Sequence, residues 1–136
     1  MEFDKLKILD GNFWDVFLHQ DQTALGRLYF WYKKGETNDL LDAPKEALTE
    51  FYDLAGRIKS ALAAAFQPDL YNYLSLNNVT SHLHVHLIPR YSKEIELFGL
   101  VFDDNSFGKD YQRNSDFVVN EEILIKIKEK IKDNLK

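Results

Sequence analysis

Apolar residues recur along this chain with two different periods, and the switch between them lays out the elements. Phe13-Trp14-Asp15-Val16-Phe17-Leu18 is aromatic and β-branched and reads as a strand. Turn residues follow at Gln20-Asp21-Gln22-Thr23. Gly26 then precedes a second run, Arg27-Leu28-Tyr29-Phe30-Trp31-Tyr32, and the pair predicts an antiparallel hairpin with a longer loop. After a polar loop at 33–38 the period lengthens. Leu48, Phe51, Ala55, Ile58, Leu62 and Ala65 make one stripe of a long helix. Asp42 is its expected N-cap, Pro44 and Glu46 lie in the first turn, and Pro68 stops it. Tyr71 to Leu76 reads as a third strand and Asn77-Asn78 as a turn. Strict alternation from His82 to Leu87 then predicts a strand ending at Pro89. Residues 91–111 are polar and aromatic with little periodicity. The last helix is capped by Asn120, carries Glu121 and Glu122 in its first turn and lysines towards its end, and turns Ile123, Ile127 and Ile131 inward. The expected fold class is α+β: an antiparallel sheet with a long helix after the second strand and a C-terminal helix, the helices covering one face.

Length and composition narrow the picture further. A chain of 136 residues, 45% of them hydrophobic, suits a single domain over 1–136 with a real core. It has no cysteine, so neither disulfides nor thiolate metal sites are expected. The charged start, Met1-Glu2-Phe3-Asp4-Lys5, does not read as a signal peptide, and no run of about 18 apolar residues suggests a membrane span. A cytoplasmic location is the resulting expectation. A formal charge of −5 counts against broad nucleic-acid binding but says little about a small phosphorylated ligand.

Chemistry concentrates in His82-Leu83-His84-Val85-His86-Leu87-Ile88-Pro89-Arg90, which holds three of the four histidines. On a strand the three imidazoles share one face and stand roughly 6–7 Å apart along the backbone. Leucine or valine would pack better, so packing does not account for them. Three readings fit the residues alone. An edge strand turns a polar face to water. Or the row binds a metal such as zinc, although three ligands on one straight strand converge poorly. Or the histidines handle phosphate, one attacking phosphorus while its neighbours orient and donate.

The segment from Asn72 to Tyr91 resembles the histidine triad family of nucleotide hydrolases and transferases. The family motif alternates three histidines with apolar residues and ends on two apolar positions. His82 to Ile88 match it throughout, and Pro89-Arg90 extend the match as in the diadenosine polyphosphate hydrolase branch. Asn72 to Val79 resembles that branch's preceding strand and turn. Phe98-Gly99 and Phe107-Gly108-Lys109-Asp110-Tyr111 resemble the tail of small bacterial members. The resemblance implies a homodimer that binds a purine nucleotide. His84 would attack the α-phosphorus and form a nucleotidyl-histidine, which water or another acceptor then releases. His82 and His86 would orient the phosphate and assist proton transfer. The second ring nitrogen of His84 is expected to donate to a backbone carbonyl, which fixes the reactive tautomer.

The chain also departs from the family pattern. Asn77-Asn78 stands where many members have Gly-Gln or Gly-Asn; Asn78 could donate to a phosphate oxygen, and Asn77 tolerates a left-handed turn. Val79 replaces a hydroxyl residue, while Thr80 could supply one. Gly26-Arg27 replaces a Gly-His pair, and Arg27 is expected either to touch phosphate or to form a structural ion pair. His19 and Asp21 occupy the region where members bind ribose; an exposed loop role is the alternative for His19. Arg90 is a candidate for a polyphosphate tail, or for a solvent-facing ion pair. No prosthetic cofactor or resident metal is implied, though Mg²⁺ could accompany a polyphosphate substrate. The alternatives are a nucleotide-binding or sensing module with weak turnover and a metal-dependent hydrolase. Neither nucleic acid nor membrane is an expected partner.

Overall fold

The computed structural model describes residues 3–136, so Met1 and Glu2 of the charged N-terminal stretch lie outside it. Its centre is a five-stranded antiparallel sheet in the order β1-β2-β3-β5-β4. The strands are β1 (Lys7–Asp10), β2 (Trp14–Leu18), β3 (Leu28–Tyr32), β4 (Leu70–Leu74) and β5 (His84–Arg90). Helix α1 (Lys45–Phe66) connects β3 to β4. A hairpin, β6 (Ile95–Leu97) and β7 (Leu100–Phe102), follows β5, and α2 (Glu121–Asp133) comes last. Among the described residues, no helix is long and apolar enough to cross a membrane.

Alternation divides the sheet into two faces. Trp14, Val16 and Leu18 of β2, Leu28 and Phe30 of β3, and Val85 and Leu87 of β5 are buried with Ile58 and Leu62 of α1 and Ile127 and Ile131 of α2. At about 25 cal/mol per Å² of apolar surface, this interlocked face dominates the stability of the fold. Trp14 seals it: its indole N–H donates to the Ala47 carbonyl at 2.8 Å, and its ring meets Phe51 at 5.4 Å. On the opposite face, register pairs Tyr29 with His86 and Trp31 with His84. Among the described residues no helix covers that row, and the histidines are half-buried.

Several elements differ from the sequence expectation. β1 is too short to show a period; pairing with β2 makes it a strand, with an irregularity between Lys7 and Leu9. Asp42 does not cap α1. It closes a 3₁₀ turn capped by Asp39, and its carboxylate accepts from the Thr37 hydroxyl; the extended Pro44 occupies the N-cap position instead. Residues 75 and 76 fall outside β4, and β5 starts at His84 rather than His82. The stretch read as aperiodic contains the β6–β7 hairpin. Phe98 and Gly99 both take positive φ there, as a two-residue turn between right-twisted strands requires. On α2 the Asn120 cap is present, its side chain accepting from the Ile123 N–H, but Leu124 rather than Ile123 joins Ile127 and Ile131 in the core.

Candidate active site

The histidine row lies along the middle of the open face. The rings of His84 and His86 meet edge to face at 4.9 Å, closer than the strand spacing alone would place them. Trp31, one strand away, stacks on His82 at 4.2 Å and on His84 at 5.9 Å. Together with His19, Gln20 and Tyr29, the rings of Trp31, His84 and His86 line a cavity of about 210 Å³. A larger groove of about 790 Å³ runs along β4 and residues 108–111, but no histidine lines it, so the reactive groups single out the smaller cavity.

Backbone carbonyls and a guanidinium set the histidine tautomers. His84 Nδ1 lies 2.7 Å from the His82 carbonyl oxygen, which can only accept, so the proton sits on Nδ1. Its Nε2 has no hydrogen-bond partner among the described residues, so in the neutral ring that nitrogen carries the lone pair. Asn77 fixes the backbone at the same point. Its Oδ1 accepts from the His84 N–H at 2.9 Å, while its Nδ2 donates to the Asn38 carbonyl and the Ser75 hydroxyl. Asn77 achieves this from a left-handed backbone, φ 53°. His82 precedes the regular strand. Its Nε2 donates to the Tyr32 carbonyl and its Nδ1 lies 3.7 Å from Glu36, so the ring is occupied with backbone rather than turned into the cavity.

His86 and His19 are both held neutral. Burial, then the charge of Arg27 and the nearby His84, push His86 down to about 4. Burial, Arg27 and His86 push His19 down to about 3. His19 Nδ1 accepts from the Asp21 N–H at 2.9 Å, which leaves Nε2 protonated. The two rings stand 5.6 Å apart.

The other residues singled out in the sequence go to different places. Asn78 and Thr80 are exposed and lie outside the cavity; the adjacent Asn77 is the residue that touches the histidine strand. A turn-forming Asn followed seven residues later by the middle histidine was the available signal, but sequence does not say which Asn of a pair faces inward. Asp21 is buried and fully engaged: Thr23 donates to Oδ1 through its N–H and hydroxyl, and Arg27 and Tyr111 donate to Oδ2. It has no free edge for ribose. Burial alone would raise the Asp21 carboxyl; hydrogen bonds from Tyr111 and Thr23 and the Arg27 charge outweigh it and hold the group below the usual range. Arg27 pairs with Asp21 at 2.6 Å and reaches His86 Nδ1 at 3.4 Å. Arg90 is neither solvent-facing nor available to a polyphosphate tail. Its side chain is 2% exposed, and it donates to Asp104, Asn72 and the backbone carbonyls of Lys109 and Ser106. Tyr111, which the sequence marked only as part of the tail segment, is the unforeseen member of the cluster.

Comparison with known proteins supplies the context for this geometry. The HIT domain family model matches residues 4–93. No curated protein sequence matches the chain. Among solved structures, a HIT-like protein of Bartonella henselae is similar at 24% identity and TM-score 0.68, with 96% of this chain and 86% of that one covered. A histidine triad protein of Sinorhizobium meliloti is similar at 18% identity and TM-score 0.77, with coverages of 96% and 89%. A diadenosine triphosphate hydrolase of Plasmodium falciparum is similar at 12% identity and TM-score 0.65, with coverages of 95% and 75%.

Proposed function

The chain belongs to the HIT domain family, and on that premise we propose that it cleaves nucleotides at the α-phosphorus with His84 as the nucleophile. The observation that carries this reading is the Nδ1–H bond from His84 to the His82 carbonyl, which leaves the Nε2 lone pair free on a ring lining the cavity. The lone pair attacks the α-phosphorus. A P–N bond forms as the bond to the leaving group breaks, and the leaving group keeps the electron pair. Water then attacks phosphorus, the P–N bond breaks, and the pair returns to His84 Nε2 while the proton from water passes to solvent. An acceptor other than water would make the same intermediate that of a transferase. Splitting one displacement into two is the general advantage of covalent catalysis.

The neighbouring groups support the transfer by charge and position. Nε2–H of His86 and of His19 are donors for phosphoryl oxygens, and preorganised donors at that point stabilise the charge of the transition state. Asn77 and the His82 carbonyl hold His84 in place. The scheme calls for no prosthetic group, and any Mg²⁺ would arrive on a polyphosphate. Leu70, Tyr73 and Leu76 are exposed beside the free edge of β4, which favours a second copy of the chain pairing there.

A second reading, nucleotide binding with slow turnover, draws support from the small cavity and from Arg27 and Arg90 being held away from it. Intact-protein mass spectrometry after brief mixing with diadenosine tetraphosphate separates the two. An acid-labile nucleotidyl adduct on wild type, absent in His84→Ala, is expected together with mononucleotide products. Products formed at the wild-type rate by His84→Ala would sink the nucleophile assignment. Binding without adduct or products would favour the second reading.

A further inference from the structure

Arg27 sits at a corner that the fold leaves little freedom to move. Gly26 takes φ 89°, and a Cβ there would fall 2.9 Å from Leu62 and 3.2 Å from Phe66 of α1, so the backbone entering Arg27 is pressed against the helix. The guanidinium is then gripped from two sides. Nη1 donates to Asp21 at 2.6 Å, and its centre lies 5.1 Å over the Tyr111 ring. The Tyr111 hydroxyl donates to the same Asp21 oxygen, and the Asn114 N–H donates to Thr23, tying the 111–114 segment to the 21–27 loop. What remains of the guanidinium points at His86, with Nη2 3.4 Å from Nδ1. A guanidinium has donors only, so His86 Nδ1 is the accepting nitrogen and the proton is on Nε2.

The groups facing His86 come from every neighbouring element. His84 lies on its own strand, Tyr29 on β3, His19 after β2, and Arg27 ahead of β3. The carboxylate in the cluster, Asp21, sits behind Arg27 and is matched by it. No negative charge in this set favours an imidazolium. With His86 at about 4, only about one ring in a thousand is protonated at pH 7. His82, the other flanking histidine, has its Nε2 committed to the Tyr32 carbonyl.

This matters for the leaving group. When a phosphoanhydride bond breaks, the electron pair stays on the departing phosphate oxygen, which needs a hydrogen bond and no proton. When a P–N bond to an amine breaks, the departing nitrogen must receive a proton as it leaves. We propose that Arg27, held by Asp21 and Tyr111, is a positioning residue that presents His86 to the substrate as an Nε2–H hydrogen-bond donor and not as an acid, so that the site favours leaving groups that depart as anions over amines that need a proton. The preference for anions rests on the transfer reading for His84; the positioning of His86 does not.

Two readouts test the proposal separately. Long-range ¹H–¹⁵N spectra of the wild-type protein should show His86 as the Nε2–H tautomer, titrating well below the usual histidine range. Arg27→Met should move that titration upward and mix the tautomers, and Arg27→Lys, which keeps the charge, should largely restore them. With diadenosine tetraphosphate and adenosine 5′-phosphoramidate as substrates, Arg27→Met should shift the ratio of kcat values towards the phosphoramidate by about tenfold, roughly the gain in protonated His86 from one unit of pKa. Its phosphoramidate rate should also rise as pH falls from 7 to 6. An Nδ1–H tautomer or an ordinary titration of His86 in the wild type overturns the positioning. An equal loss on both substrates with an unmoved pH profile overturns the leaving-group preference and leaves Arg27 a structural residue. If neither substrate is cleaved and no adduct forms on His84, that preference falls together with the transfer reading, while the spectra still decide the positioning. Should Arg27→Met fail to fold, Tyr111→Phe applies the same test, with a smaller upward movement of His86 expected.

Discussion

Two arginines meet over one tyrosine in this protein, and they do different things. Arg27 and Arg90 lie 5.1 Å and 5.6 Å from the Tyr111 ring, each paired with a buried aspartate. Around Arg90 the grip is complete: Nε and Nη2 bind Asp104, Nη1 binds Asn72 and the Lys109 carbonyl, and Nη2 binds Ser106. Asp104 accepts in addition from the Tyr91 N–H. Such a centre locks the end of β5 to the 104–109 loop and has no donor left for a ligand. Around Arg27 the grip is partial. Its side chain is 13% exposed, its buried Nε–H has no partner among the described residues, and one nitrogen reaches His86. Identical side chains thus serve as a rivet in one place and as a setting for a functional ring in the other. The difference lies in how many acceptors surround each guanidinium.

The sharpest way to break this comparison is to remove each cation in turn and follow urea unfolding. Arg90→Met should cost about 3–5 kcal/mol, because it leaves Asp104 buried without its cation. Arg27→Met should cost less, about 1–3 kcal/mol, since Thr23 and Tyr111 still donate to Asp21. Equal losses would erase the distinction between the two centres.

Acid offers a second probe of the Arg27 side. His86 and His19 have folded values of about 4 and about 3, both below the unfolded value near 6.5. Between those limits the unfolded chain binds more protons than the folded one. Stability is therefore full above pH 6.5 and declines as pH falls towards 4. Thermal melts across this range should show the midpoint falling steadily as pH drops, and the double variant His19→Asn, His86→Asn should flatten the slope. A wild-type midpoint that does not move between pH 7 and 5 would contradict the neutral, buried assignment of both rings.

The smallest effect should come from the residue the two centres share. Tyr111→Phe keeps the ring under both guanidiniums and removes one hydrogen bond to Asp21, worth about 1.5 kcal/mol. Its cost should add to that of Arg90→Met, whose network does not use the hydroxyl. It should not add to that of Arg27→Met, which shares Asp21 with it. A double-mutant cycle in urea reads this directly, and full additivity with Arg27→Met would mean that the tyrosine and the arginine act independently.

The fold was largely legible because its signals are local and periodic. Alternation placed three histidines on one face and aliphatic residues on the other, and helical spacing marked both helices to within a turn. The misses have physical causes. β1 and the β6–β7 hairpin are three or four residues long, too short for a period to register, and exist through pairing. Asp42 does not cap α1 because the chain makes a separate 3₁₀ turn over Leu40–Asp42 and the helix begins only at Lys45. Ile123 and Leu124 both lie near the inner face of α2, and only the packing of that helix selects between them.

By itself the sequence determined which chemistry this chain carries: a row of imidazoles on one sheet face, since side-chain direction along a strand follows from backbone geometry alone. Only the tertiary structure decided what each group is free to do. The tautomer of His84 depends on a carbonyl two residues back. That of His86 depends on an arginine 59 positions away, and the loss of Arg90 as a ligand depends on an aspartate 14 positions on. Hydrogen bonds and charges act through space at about 3 Å. The roles of ionisable groups therefore became fixed only when distant segments met.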